Sequence, residues 1–137
     1  MQRLTEPMPP GIKAQDSDIS ATDPDWSRED IAQGWTTGRA LLNAIRTYQK
    51  HQVRSDPMSR LFRKIAVARY VYWSAITGAD IPLNCRIGGG LLLPHPNGIV
   101  IHSDACIGPN CLIFQQVTIG ASTKGVPTIG GHVDIGA

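Results

Sequence analysis

An aspartate and a histidine, Asp80 and His95, stand fifteen residues apart in a 137-residue chain that contains four histidines. A carboxylate that accepts the Nδ1 proton of an imidazole fixes the tautomer and leaves Nε2 free as a general base near neutral pH. The pair can work that way only if the fold brings the chain back to its starting edge in about that many residues. The other reading of the same residues is plainer: Asp80 caps a helix end, and His95 is a loop residue satisfied by water.

The elements that must position them are written in the last 57 residues. Ile81, Ile87, Leu93, Ile101, Ile107, Ile113, Ile119, Ile129 and Ile135 form one register, and six of the eight steps between them are six residues long. Self-similarity at so short a period marks a β-helix. A glycine follows the aliphatic residue at positions 88, 108, 120, 130 and 136, as a corner intolerant of a Cβ requires. Cys85, Ala105, Cys111, Val117 and Val133, four residues after an aliphatic, are small enough to point inward. Six residues make one short strand and one corner, so three units close a triangular coil of eighteen and the next coil stacks on it. The expected coils are 81/87/93, 101/107/113 and 119/129/135. A sandwich with Gly-rich turns would need period-2 alternation, which is scarce here. Asp80 and His95 therefore lie a little under one coil apart, close enough to meet. The two long steps, from Leu93 to Ile101 and from Ile119 to Ile129, read as insertions, and such loops are where a repeat protein keeps its chemistry. The first of them carries His95.

Three composition shifts divide the chain into a flexible arm over 1–24, a helical segment over 25–78 and hexapeptide repeats over 79–137. Ser27, with Asp30 three residues on, suggests the capping box of a helix running to about His51, with Ile31, Trp35, Leu41, Leu42 and Ile45 as its apolar stripe. Asp56 and Pro57 open a second helix that stops near Gly78. The last helix is placed to cap the open first coil. The chain stops at Ala137, two residues into a repeat, so the expectation is about three coils of a truncated, originally longer β-helix.

A formal net charge of +2 gives no argument for nucleic acid. Arg60, Arg63, Lys64 and Arg69, interleaved with Leu61, Phe62, Ile65 and Val67, read as the solvated face of an amphipathic helix, with membrane-surface binding the lesser alternative. No apolar run approaches the roughly 20 residues of a membrane span, and no signal-peptide core is present. Three cysteines without CxxC spacing suggest reduced thiols, with Cys85 and Cys111 inward and Cys106 at a corner. The expected compartment is the cytoplasm.

The stretch TGADIPLNCRIGGGLLLPHPNGIVIHSDACIGPNCLIFQQVTIG, residues 77–120, resembles the serine acetyltransferase family of hexapeptide-repeat acyltransferases. That family runs from a V-D-I-H-P-like start through a Gly-rich coil to an L-D-H-A-T-G-I-V-I-like loop and on to Q-S-V-T-L-G-G. The resemblance implies a left-handed parallel β-helix behind N-terminal helices and a homotrimer with active sites between subunits. It further implies acetyl transfer from the co-substrate acetyl-CoA to a small-molecule hydroxyl, that of L-serine in cysteine biosynthesis, with no metal. His95 matches the general base and Asp80 the aspartate that orients it. Gly120 and Ala121 match the strip along the pantetheine arm, and Gln115 lines the same groove.

The sequence also departs from the family. Pro94 stands where serine acetyltransferases carry an Asp that holds the amino acid. The 121–127 loop lacks their Arg-His-Pro grip on the substrate carboxylate and offers Lys124 as a substrate-binding cation without a bidentate fork. The Pro-His-Pro loop also resembles acetyltransferases of exopolysaccharide synthesis, whose acceptor is a sugar hydroxyl. Two further readings stand beside these. One is an interfacial metal held by His95, His102 and His132, as in hexapeptide-repeat carbonic anhydrases. The other is a non-catalytic trimeric interaction module.

Overall fold

An aliphatic residue at every sixth position can be buried only if the chain turns back on itself, and it does. In the computed structural model, which describes residues 19–137, seven two-residue strands wind as parallel coils. They are β1 (Arg86–Ile87), β2 (Val100–Ile101), β3 (Cys106–Ile107), β4 (Leu112–Ile113), β5 (Thr118–Ile119), β6 (Thr128–Ile129) and β7 (Asp134–Ile135). They form three faces. Asp80, β2 and β5 make the first, β1, β3 and β6 the second, and Leu92, β4 and β7 the third. Ile87 stacks on Ile107 and Ile129, Ile101 on Ile119, and Ile113 on Ile135. These are the three coils expected from the sequence. Ile81, Leu91, Ile99 and Ile113 are fully buried in their centre, each contributing roughly 1.5–3 kcal/mol of apolar burial.

The corners match the expectation only in part. At Gly88 and Gly108 a Cβ would collide with the backbone of the coil below, at Pro109 and at Gly130–Gly131. At Gly130 and Gly136 no described atom lies within reach of an added Cβ. Val133 is correspondingly exposed rather than inward. Cys106 is not a corner residue: it is the outward, half-buried position of β3.

The first helix starts later than Ser27. The Ser27 N–H and hydroxyl both donate to the Asp25 carboxylate, so Ser27 caps nothing. Asp25 and Asp30 instead cap two short 3₁₀ turns, Trp26–Glu29 and Ile31–Gln33. Gly34, at φ 137°, ends the second turn. Helix α1 (Thr37–Gln52) begins only after Thr36, whose side chain accepts the Arg39 N–H. Helix α2 (Pro57–Thr77) is capped by Asp56 and ends at Gly78 in the left-handed region, as the Asp-Pro and Gly signals predict. Backbone and hydroxyl hydrogen bonds from Ser59 hold the Asp56 carboxyl below its usual range.

The lid on the first coil is chiefly α1, not the last helix. Leu41, Leu42 and Ile45 are buried in the same cluster as Ile81, Ile87 and Leu93, whereas α2 adds only the half-buried Tyr70 and Trp73. Gly38 permits this approach, since a Cβ there would strike the Leu93 carbonyl.

Of the expected arm, residues 1–18 lie outside the described residues. The segment after them lies against the β-helix. Asn110, fully buried and at φ 60°, accepts the Asp25 N–H and donates to the Ser20 and Asp23 carbonyls. Arg46 ties three elements together. Its guanidinium forms a two-pronged pair with Glu29 (2.8 and 3.0 Å), donates to the Ile87 and Gly88 carbonyls, and lies over the Trp26 ring.

Candidate active site

The Pro94–Gly98 insertion leaves the coil at the corner between the third face and the first. It is pinned from above and below through its backbone. Gly98 N–H donates to the Gly78 carbonyl at the end of α2, and Asp80 N–H donates to the Ile99 carbonyl. From the coil beneath, Gln116 N–H donates to the Asn97 carbonyl. Gly98 is at φ 69° and rests on the Gln116 side chain, which a Cβ would overlap. Pro96 is buried, while Pro94, His95 and Asn97 are exposed. His95 thus sits free on a braced pedestal, the arrangement a positioned base requires.

Asp80 begins the first face directly beside that pedestal, its backbone paired with Ile99 and Ile101. Its carboxylate lies close enough to Tyr70 and Cys85 to add to the rise that burial imposes on both. The coil return therefore brings the Asp80 and His95 segments together. Among the described residues no hydrogen bond joins the two side chains. Gln115 sits on the coil below, next to Gln116, at the same corner.

The other expected residues lie at the opposite edge of this face. His102 N–H donates to the Ile119 carbonyl, which places His102 over Gly120. Gly120 is bare surface, where an added Cβ would meet only Thr118 Cγ2 at 3.7 Å. Ala121 follows, and Ser122 and Gly125 then exchange backbone hydrogen bonds in a tight exposed turn that carries Lys124. Four residues of extended chain separate the two edges, about 13 Å. The structure groups His95, Asp80 and Gln115 on one edge, and Gly120, Ala121 and Lys124 on the other. The sequence reading missed Gly78, Gly98 and Gln116 as the braces of the His95 loop. The glycine after Pro-His-Pro-Asn and the glycine ending α2 were the available signals.

His102 Nδ1 accepts the Asp104 N–H at 3.2 Å, which leaves Nε2 as the ring's N–H donor in the neutral form. No group of three His, Cys, Asp or Glu side chains suited to a metal occurs among the described residues. Cys85 is no nucleophile. Burial, then the Asp80 and Asp104 carboxylates, push its thiol up to about 11, so its thiolate fraction at neutral pH is on the order of 10⁻⁴. A disulfide reagent should therefore label Cys106 first and reach the buried Cys85 and Cys111 only on unfolding. Three equally fast thiols in a mass-resolved time course would refute this.

No model of a known protein family matches the chain. Individual proteins do. A serine acetyltransferase of Synechococcus elongatus is 39% identical over 66 residues, covering 45% of this chain and 27% of its own length. The probable serine acetyltransferase 5 of Oryza sativa subsp. japonica is 30% identical over 115 residues, 81% of this chain and 34% of its own. The crystal structure of Neisseria gonorrhoeae serine acetyltransferase in complex with serine superposes with a TM-score of 0.58 at 31% identity, over 78% of this chain and 43% of that one. In sequence and fold the chain is similar to serine acetyltransferases. It spans about a third of the length of the curated relatives it matches. The shared fold with the serine acetyltransferases makes its coils those of a left-handed parallel β-helix, the opposite hand to the general rule for parallel crossovers. No described helix is long and apolar enough to cross a membrane.

Proposed function

We propose that this chain carries the catalytic edge of an acetyl-CoA-dependent O-acetyltransferase that acts in the cytoplasm on a small hydroxyl substrate, L-serine being the first choice. The observation that carries the reading is His95, exposed on a loop braced by Gly78 and Asp80 on one side and Gln116 on the other. In this reading Nε2 of His95 takes the proton of the acceptor hydroxyl as that oxygen attacks the thioester carbonyl. Asp80 closes on Nδ1 and holds the tautomer. The acetyl–sulfur bond then breaks, and the proton passes from His95 to the departing thiolate. Backbone N–H groups facing the carbonyl oxygen stabilise its negative charge. The bare strip at Gly120 and Ala121 suits the pantetheine arm, with Gln115 lining the groove and Lys124 offering one positive charge to the acceptor. Because one chain holds these two groups on opposite edges of a face, the reading includes a homotrimer, in which the edges of neighbouring subunits form each site.

L-serine is supported by the similarity to a relative solved in complex with serine. A sugar hydroxyl is the second reading, and a specific feature favours it: Pro94 and the tight 122–125 turn leave Lys124 as the cation of that loop, with no guanidinium fork for an amino acid carboxylate. Calorimetric titration of the full chain with CoA separates either reading from a non-catalytic β-helix module. Saturable binding at one site per subunit is the expected result. An absence of binding heat at any temperature, for a chain that is folded by circular dichroism, would remove the acetyltransferase reading.

A further inference from the structure

Helix α2 shows solvent an apolar face, covered at one edge by the stacking of Phe62 on His51. Met58, Leu61, Phe62, Ile65, Tyr72 and Ile76 recur at helical spacing on one side, each between 42% and 60% exposed. The stripe is about 27 Å long. The sequence suggests that the basic residues, interleaved with Leu61, Phe62, Ile65 and Val67, form the solvated face of an amphipathic helix, and in the structure those four apolar residues are themselves exposed. The buried side of α2 is a different one, marked by Ser59, Ala66 and Thr77.

The charges around this stripe are of one sign. Residues 37–77 hold eight basic side chains, Arg39, Arg46, Lys50, Arg54, Arg60, Arg63, Lys64 and Arg69, against a single acid, Asp56. The rest of the chain holds five basic and ten acidic residues. Arg46 with Glu29 is the one ion pair among the described residues, so Arg60 and Lys64 stand exposed without a carboxylate in contact. Arg60 and Lys64 flank the stripe on one side. An exposed apolar stripe on a helix with basic residues and no acids suits a surface that is apolar within and anionic at its boundary.

We propose that α2 docks the protein onto an anionic lipid bilayer, lying in the plane of the surface with the Met58–Ile76 stripe among the upper acyl chains and its cations at the headgroups. A second copy seated hairpin to hairpin is the poorer occupant, since the two would meet with like charge at close range. A nucleic acid would leave the aliphatic stripe wet. The inference stands apart from the acetyl-transfer reading and is unaffected by its failure.

Sedimentation of the full chain with phosphatidylcholine vesicles, with and without phosphatidylglycerol, tests it. The protein should pellet with the anionic vesicles and be released by high salt. Arg60→Ser with Lys64→Ser should weaken partitioning roughly 10- to 30-fold, and Leu61→Glu with Ile65→Glu should abolish it. All four positions are exposed, so circular dichroism should show helix content unchanged. Equal recovery with neutral and anionic vesicles would overturn the proposal. So would an oligomer in solution that Leu61→Glu with Ile65→Glu dissociates, combined with no vesicle binding, since the stripe would then be an interface between copies.

Discussion

Replacing His95 by Ala is expected to lower the proposed acetyl transfer roughly 10²- to 10⁴-fold, about 3–5 kcal/mol of transition-state stabilisation. The loss should fall on kcat, because the imidazole is assigned proton transfer and not binding of the acetyl donor. Stability should not change. Every hydrogen bond that braces the loop is made by backbone: Gly98 to Gly78, Asp80 to Ile99 and Gln116 to Asn97. The His95 ring itself is exposed. A variant that lost activity together with its folded signal would say nothing about the base; an unchanged melting temperature with lost turnover separates chemistry from scaffold. If turnover persisted at wild-type level, the assigned mechanism would be wrong, whatever the fold.

Removing one side of the Glu29–Arg46 pair should destabilise the fold by about 3–5 kcal/mol, because the remaining charge is left buried and unpaired. The Glu29 side chain is 7% exposed and that of Arg46 19%, so little water is available to compensate. The pair is also a junction. Glu29 accepts the Leu91 N–H, and Arg46 reaches the Ile87 and Gly88 carbonyls at the first coil. Glu29→Ala or Arg46→Ala therefore unlatches the N-terminal turns from both α1 and the β-helix. The melting temperature by circular dichroism should fall by roughly 10–20 °C. A shift of a degree or two would show that the junction is redundant and that apolar burial around Ile45 and Leu41 holds the lid unaided.

The β-helix was legible because its rule is local and repeated: an Ile at every sixth position with a Gly after it can bury only one way. The Asp56-Pro57 start and Gly78 stop of α2 were legible for the same reason, each being a backbone preference of the residues themselves. The start of α1 was not. Ser27 and Asp30 look like a capping box in sequence, but Asp25, two residues before Ser27, takes the Ser27 donors, and Gly34 breaks the turn before α1 begins. Which helix covers the first coil was not readable either, because Leu41 and Ile65 are equally apolar in sequence; only the packing separates them, burying the first and exposing the second. At the candidate site, coil arithmetic brought Asp80 and the His95 loop together. The bracing by Gln116 and Gly78 depends on which backbone group faces which in the adjacent coil, information no single repeat carries.

Thiol release from acetyl-CoA by the full chain, measured with and without L-serine or a sugar acceptor, bears most directly on the claim that this β-helix is an acyltransferase edge built around His95. The account predicts release that depends on an acceptor hydroxyl and is lost in the His95→Ala chain. Release that ignores both the acceptor and the substitution, or no release from a chain that binds CoA and assembles, would contradict it.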